Sequence, residues 1–369
     1  MSEAFEQQPL TPTVDADQIP SSYGDSEAEY AAIRKGGVGL IDLSARGRIR
    51  VTGSEAVLFL NGLITNDMKT LSEGSWMHAI FPNAQGRIIA SVRMMRLADQ
   101  EGGKAGIPTF LMDTEPVTHQ RVMQTIERFT LAGDFHVRDL TSETAQFSLQ
   151  GRSAAEWLRE PLQQPGELAQ GQRLSSATLN RTNVTLIHST HTGEDGYDLV
   201  LDARETSTLW KSLISKGATP VGSVALETLR IEAGIPRFGV DIHESMVASE
   251  TNLDEAISFT KGCYVGQEII ARIKHRGHVA KKLTGLVFDE RVQVQDGVKV
   301  SSDDGKEIGS VTSSTFSPSL GRTVALALIR YQFLDPGTLV IIEVAGTEVP
   351  AKVAALPFIS GSWRSDAQS

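Results

Sequence analysis

Cysteine, long apolar runs and early cationic residues are scarce in this 369-residue chain, and each scarcity excludes a class of protein. Cys263 is the only cysteine, so an intrachain disulfide is excluded and a reducing compartment is expected. The longest apolar run, residues 324–329, is far shorter than the roughly 18 residues that a membrane span needs. No lysine or arginine precedes Arg34, so the cationic start of an export or mitochondrial signal is missing. We therefore expect a cytoplasmic protein with no membrane partner.

The overall composition is that of an ordinary globular protein. Hydrophobic residues make up 40% of the chain and charged residues 22%, which excludes a disordered or collagen-like protein. Lysine and arginine total 35 against 45 acidic residues, so the net charge is −10 and direct nucleic-acid binding is not predicted. The length is enough for two or three domains with sizeable cores.

Apolar periodicity and turn residues divide the chain into α+β segments followed by a β segment. Runs typical of strands, 78–81 and 87–97, flank the turn signal Pro82–Gly86 and predict a hairpin. Residues 117–129 have the spacing of an amphipathic helix. The runs from 283 to 358 are short and β-rich, which indicates a small closed β domain. The predicted organisation is a flexible acidic tail (1–30), a first α+β unit (31–140), a second α+β unit (141–280), a β-barrel (281–360) and a polar tail (361–369).

The densest chemical signal is KGCYVGQE, residues 261–268, which places the only cysteine just before a predicted helix. A helix N-terminus and a nearby lysine both favour a thiolate, so Cys263 is a candidate reactive group with Lys261 beside it. The alternative is that Gly262 and Gly266 only shape a turn and that Cys263 is a small packed residue. The spacing alone leaves both interpretations open.

Two further features are candidates for binding. The segment 272–282 carries seven residues that are cationic or can become so, and it could hold carboxylates or phosphates or could simply be a solvated strand. Asp198 alternates with apolar neighbours in a predicted strand. Its carboxylate either points inward and needs a hydrogen-bonding or cationic partner, or it lies on a solvent-exposed face.

Several segments together resemble the glycine cleavage T protein superfamily, and KGCYVGQE is similar to the motif of its folate-binding YgfZ branch. The segments are GRIRVTGSEAVLFLNGLITNDM (47–68), THTGEDGYDLVL (190–201), LRIEAGIPRFGVDI (229–242) and TSSTFSPSLGRTVALALI (312–329). The resemblance covers about residues 32–358. It implies an α+β fold of the T-protein cloverleaf type, with two α+β units around a central pocket and a C-terminal β-barrel.

The resemblance also implies a function and a set of site residues. It implies non-covalent binding of tetrahydrofolate or a derivative, no permanent metal, and support for the assembly or repair of iron–sulfur proteins, including enzymes that modify tRNA. Iron–sulfur client or assembly proteins would then be the partners. Cys263 would be the catalytic residue; the motif residues around it are Lys261, Gly262, Tyr264, Gly266, Gln267 and Glu268, and the candidate folate-binding residues are His78, Asp198 and Arg230.

The chain departs from the T-protein pattern at the residues that would act on folate. Where T proteins carry two acids after the hairpin turn, this sequence has Ala90 and Ser91, and Leu226 replaces an arginine. No carboxylate on this strand can therefore direct proton transfer at the folate nitrogen. Three hypotheses follow: a folate-dependent accessory protein for iron–sulfur enzymes, a folate-dependent aminomethyl or one-carbon transferase, and a partner-binding module without catalysis.

Overall fold

The computed structural model describes residues 19–98, 106–129, 133–162 and 173–363, which form two compact units. Unit 1 comprises residues 1–45, 141–227 and 361–369, and unit 2 comprises residues 46–140 and 228–360. Residues 1–18 and 364–369 of the predicted tails lie outside the described part of the chain.

Strands and helices alternate through the first two thirds of the chain, and strands dominate the last third. The strands are β1 (Gly39–Asp42), β2 (Gly47–Thr52), β3 (Ser75–Pro82), β4 (Ile88–Leu97), β5 (Thr109–Thr114), β6 (His136–Asp139), β7 (Thr144–Gln150), β8 (Leu174–Leu179), β9 (Thr182–His188), β10 (Gly196–Asp202), β11 (Thr219–Pro220), β12 (Lys281–Phe288), β13 (Lys299–Ser301), β14 (Glu307–Ser317), β15 (Arg322–Arg330), β16 (Leu339–Val344) and β17 (Thr347–Ala354). The helices are α1 (Ser26–Arg34), α2 (Ala56–Leu63), α3 (Pro116–Phe129), α4 (Ala154–Arg159), α5 (Thr206–Ser215), α6 (Ser223–Glu232) and α7 (Gln267–Arg276).

Unit 1 is built on a six-stranded sheet in the order β11-β1-β7-β10-β9-β8. Only the β1–β11 pair is parallel among these strands. Alternate residues of β7 and β10, such as Phe147 and Leu199, are fully buried in an apolar core that includes Trp210 of α5. The intervening residues of these strands lie on the opposite face of the sheet, because successive side chains of a strand alternate.

Helix α1 begins at Ser26, inside the segment that composition predicts to be a flexible tail. Asp25 caps the helix, because its side chain accepts a hydrogen bond from the Glu27 N–H. The buried Glu29 carboxylate accepts hydrogen bonds from the Tyr23 N–H (2.6 Å) and the Gly222 N–H (2.8 Å). A low apolar content therefore does not prevent residues 22–29 from being ordered, since one buried carboxylate binds several of their polar groups.

Unit 2 contains an antiparallel five-stranded sheet in the order β3-β4-β5-β2-β6. The predicted hairpin is confirmed as β3 and β4, and the predicted helix over 117–129 is confirmed as α3. Val122 and Ile126 of α3 are fully buried and pack with the apolar residues of this sheet. The three-to-four spacing of the sequence therefore marks the buried face of the helix correctly.

The last strands of unit 2 close into a β-barrel in the order β12-β15-β14-β13-β16-β17. Its interior is filled by branched and aromatic side chains, among them Phe288, Val300 and Ile342. The predicted α+β class with a small closed β-barrel at its C-terminal end is thereby confirmed. Among the described helices, none combines the length and the apolar character that a membrane crossing requires.

Candidate functional site

Asp198 of β10 is a fully buried carboxylate in unit 1. Its Oδ1 lies 3.0 Å from His191 Nε2, and its Oδ2 accepts a hydrogen bond of 3.3 Å from Gln146 Nε2. In the register of the sheet Asp198 faces Ser148 of β7, while its neighbour Leu199 enters the apolar core. Of the two interpretations of this strand, the structure supports the inward-pointing carboxylate.

Strand β7 supplies a row of buried polar side chains on the face that carries Asp198. Gln146, Ser148 and Gln150 alternate along the strand and are fully buried. The Gln150 amide donates to Ser148 Oγ (2.9 Å), and its Oε1 accepts from the His191 N–H (3.0 Å). Strand β7 therefore supplies Gln146, which contacts Asp198 together with His191 of the loop between β9 and β10.

Two polar atoms of this region are buried and lack a hydrogen-bond partner within the described residues: Gln146 Oε1 and Ser189 Oγ. A buried acceptor without a donor costs about 1–3 kcal/mol. A hydrogen-bond donor such as a ligand N–H group would satisfy Gln146 Oε1. We call the face defined by Gln146, Gln150, Ser189, His191 and Asp198 the polar face of unit 1.

Sequence reasoning did not identify Gln146, Gln150 or His191. The signal was present, because the segment QFSLQ (146–150) alternates polar and apolar residues with a period of two. Alternation predicts a polar face on a strand, but only the register of β7 against β10 shows that this face includes Asp198.

The KGCYVGQE segment lies in unit 2, where the buried Lys261 side chain binds the C-terminal end of α2. Its ammonium donates to three backbone carbonyls, those of Asn61 (2.8 Å), Ile64 (2.9 Å) and Asn66 (2.6 Å). Burial lowers the pKa of Lys261 to about 8, against the opposing effect of Asp67, so the ammonium form still predominates at neutral pH. Lys261 therefore satisfies carbonyls at the end of a helix, and none of its hydrogen bonds goes to Cys263.

The second glycine of the motif is required by backbone geometry. Gly266 has a φ of +77° at the start of α7, and a Cβ there would lie 2.4 Å from the carbonyl oxygen of Asn83. The hairpin turn after β3 thus contacts the motif backbone directly, and only glycine permits both the conformation and the approach. A Cβ at Gly262 would have no neighbour within 4 Å, so no packing requirement explains that glycine.

Cys263 is exposed, so the alternative in which it is a packed core residue is not supported. It lies four residues before the first residue of α7. Tyr264 is buried and its ring lies 4.9 Å from the Lys261 ammonium. Burial raises the pKa of Tyr264 to about 12. Gln267 is half-buried and Glu268 is exposed.

Arg230, a candidate folate-binding residue, forms a buried ion pair in unit 2. Its Nη1 lies 2.8 Å from Oδ2 of Asp241, and both side chains are almost fully buried. Asp241 also accepts from Thr312 Oγ1 (2.6 Å), Ser313 Oγ (2.7 Å) and the Arg237 N–H (3.0 Å). The pair thus connects the loop after α6 with barrel strand β14.

The remaining predicted positions are distributed over the surface and the core of unit 2. His78 of β3 is partly exposed, with its Nε2 3.9 Å from Glu255 Oε1. Ala90 is fully buried in the apolar core of the five-stranded sheet, and Ser91 is half-buried on the next position of β4. The cationic segment is not a solvated strand throughout, because it begins inside α7 and ends in β12.

Comparison with known proteins gives matches over nearly the whole chain. Residues 13–261 match the GCVT N-terminal domain, and residues 281–359 match the glycine cleavage T-protein C-terminal barrel domain. The chain is 28% identical over 345 residues to an aminomethyltransferase of Halalkalibacterium halodurans, covering 92% of this chain and 91% of that protein. It is 29% identical over 353 residues to an aminomethyltransferase of Thermotoga neapolitana, covering 95% and 93% of the two chains.

A solved structure gives the same result for the fold. The crystal structure of the glycine cleavage system aminomethyltransferase T from Bartonella henselae matches with a TM-score of 0.83 and 25% sequence identity. The match covers 93% of this chain and 92% of that one.

Proposed function

Because the chain belongs to the glycine cleavage T-protein family, we propose that it binds tetrahydrofolate non-covalently and that the polar face of unit 1 contacts the pterin ring. The observation that carries the proposal is the buried Asp198 carboxylate beside the unsatisfied Gln146 Oε1. A pterin presents an amino group and ring N–H groups, which are donors that these two acceptors can bind. Asp198 would orient the ring, and Gln146 would add a second polar contact.

The reaction class that the relatives support is transfer of an aminomethyl or other one-carbon unit. Both sequence relatives and the solved structure carry the name aminomethyltransferase. When it is bound, tetrahydrofolate supplies a nitrogen that accepts such a unit. Within this chain, the proposed tasks of the polar face are to bind and to orient the folate.

Calorimetry on the full chain with tetrahydrofolate tests the binding proposal. We expect Asp198→Asn to weaken binding at least about tenfold, since a charge-assisted hydrogen bond contributes about 1.5–3 kcal/mol. The matched control is Asp202→Asn. Asp202 is the last residue of the same strand, and its partly exposed carboxylate binds Arg204 instead. Absence of heat with the unchanged chain, or equal affinities for the two variants, would overturn the proposal.

A second candidate function is that of a YgfZ-type accessory protein that supports iron–sulfur enzymes, including those that modify tRNA. Two observations favour it: Cys263 is exposed within KGCYVGQE, and the strand positions Ala90 and Ser91 lack the acids of the T-protein pattern. In this case folate binding would be retained, and the thiol would act on a client or assembly protein.

Two assays separate the candidates. Release of formaldehyde or ammonia from an aminomethyl donor in the presence of tetrahydrofolate would support the transferase. A deletion strain with reduced iron–sulfur enzyme activity, restored by the unchanged gene but not by Cys263→Ala, would support the accessory protein. Full complementation by Cys263→Ala would contradict a role for the thiol, and partner binding without any folate heat would favour the non-catalytic module.

A further inference from the structure

The loop between β9 and β10, residues 189–195, carries His191 and is bound by several parts of unit 1. From the sheet, Gln150 Oε1 accepts from the His191 N–H (3.0 Å) and from Thr192 Oγ1 (3.1 Å). From the other direction, three residues near the end of the chain, Gly361–Trp363, bind the same loop. We call residues 361–363 the C-terminal clamp.

The clamp makes hydrogen bonds with three consecutive residues of the loop, Gly193, Glu194 and Asp195. The Ser362 N–H and Oγ donate to Glu194 Oε2 at 2.8 and 2.6 Å, and the Asp195 N–H donates to Ser362 Oγ at 2.9 Å. The Trp363 N–H donates to the Gly193 carbonyl at 3.1 Å. A Cβ at Gly361 would lie 2.1 Å from that carbonyl oxygen, so the clamp backbone is in direct contact with the loop.

The contacts of the clamp centre on a buried carboxylate. Glu194 is 2% exposed, and its Oε1 lies 2.7 Å from Nη1 of Arg34 in α1. Burial opposes ionisation of Glu194, but hydrogen bonds from Ser362 and Arg34 outweigh it and lower its pKa. A buried carboxylate that binds three groups fixes their relative positions, because each lost hydrogen bond leaves a buried charge less compensated.

We propose that the C-terminal clamp is a positioning element: by fixing Gly193, Glu194 and Asp195, it holds His191 against Asp198. His191 precedes Gly193 by only two residues, so the clamp binds the loop close to the imidazole. It acts together with Arg34 of α1, which binds Glu194, and with His188 and the Gly151 N–H, which bind Asp195. The part of the proposal that concerns ligand affinity rests on the proposed folate function. The part that concerns the loop does not.

The test compares two shortened chains. One ends at Ser360 and lacks the clamp; its control ends at Trp363 and lacks only residues 364–369. Amide hydrogen exchange at His191, Gly193 and Asp195 is the first measurement, and tetrahydrofolate affinity by calorimetry is the second. Without the clamp we expect exchange at these amides to be about tenfold faster and affinity to fall about tenfold, with the control unchanged in both.

A pair of single substitutions distinguishes positioning from general stability. Ser362→Ala removes the hydroxyl contacts with Glu194 and Asp195, and Ser362→Thr restores a hydroxyl. We expect faster loop exchange in Ser362→Ala, recovery in Ser362→Thr, and no change in either measurement for the exposed control Ser360→Ala.

The outcomes are separable. An unchanged amide exchange rate at His191 in the chain that ends at Ser360 would overturn the proposal that the clamp positions His191, whatever the folate result. Faster exchange with unchanged tetrahydrofolate affinity would overturn its role in ligand binding. If the full-length chain binds no tetrahydrofolate, the proposed function fails, and the exchange measurements alone decide whether the clamp positions His191.

Discussion

Replacing Asp241 with alanine tests whether Arg230 is a structural residue. The substitution leaves the Arg230 guanidinium buried without its carboxylate partner at 2.8 Å. It also removes the acceptor of Thr312 Oγ1, Ser313 Oγ and the Arg237 N–H. Removing one partner of a buried ion pair costs about 3–5 kcal/mol. For a unit of this size about 2–4 °C is lost per kcal/mol, so the thermal transition of unit 2 should fall by about 6–20 °C.

Differential scanning calorimetry measures this effect, with Asp289→Ala as the matched control. Asp289 and Lys352 form an exposed pair at 3.7 Å in the same barrel, and an exposed ion pair contributes no more than about 1 kcal/mol. The double variant Arg230→Met/Asp241→Ala should recover part of the lost stability, because it no longer contains the uncompensated charge.

A fall no larger than that of the control would refute this reasoning. The Arg230 guanidinium would then not depend on Asp241, and its predicted role in holding folate would regain support.

Three further predictions concern the motif and the loop. Gly266→Ala should lower the free energy of unfolding by about 1–3 kcal/mol, because the new Cβ would lie 2.4 Å from the Asn83 carbonyl oxygen at a positive φ. Gly262→Ala should leave this free energy nearly unchanged in urea titrations, and equal values for the two variants would contradict the contact. Lys261→Met should lower the free energy of unfolding by about 1–3 kcal/mol, because the carbonyls of Asn61, Ile64 and Asn66 lose their donor. An unchanged urea midpoint would contradict this role of the ammonium. The pKa of Glu194 is lowered from the ordinary 4.5, so its contribution is complete above that pH and is lost as pH falls through the folded value. Ser362→Ala should therefore differ most from the unchanged chain in stability above about pH 4.5 and least at lower pH, and a difference that grows on acidification would contradict the assignment.

Local patterns predict the elements of this fold well, because they depend on neighbours in the sequence. The hairpin around Pro82–Gly86 follows from turn residues between β-rich runs, and α3 follows from the spacing of Val122 and Ile126. The barrel follows from a succession of short β runs with turns.

Site residues are less predictable, because their surroundings come from distant parts of the chain. Lys261 precedes Cys263 by two residues, yet its hydrogen bonds go to carbonyls about 200 residues earlier. Helical spacing suggests only a surface pair of Arg230 with Glu227, whereas its buried pair with Asp241 depends on a barrel strand that follows much later in the chain. His191 is seven residues before Asp198, but the two meet only because a turn returns the chain along the sheet.

The division of the chain into two units has a consequence for its synthesis. Unit 1 takes residues from three separate stretches of the chain, so Ser362, which binds Glu194, is translated after residues 228–360 of unit 2. Domains generally fold in the order in which a ribosome makes them. Here Glu194 can bind Arg34 early in synthesis, but it gains its hydrogen bonds from Ser362 only after residues 228–360 of unit 2 have been made.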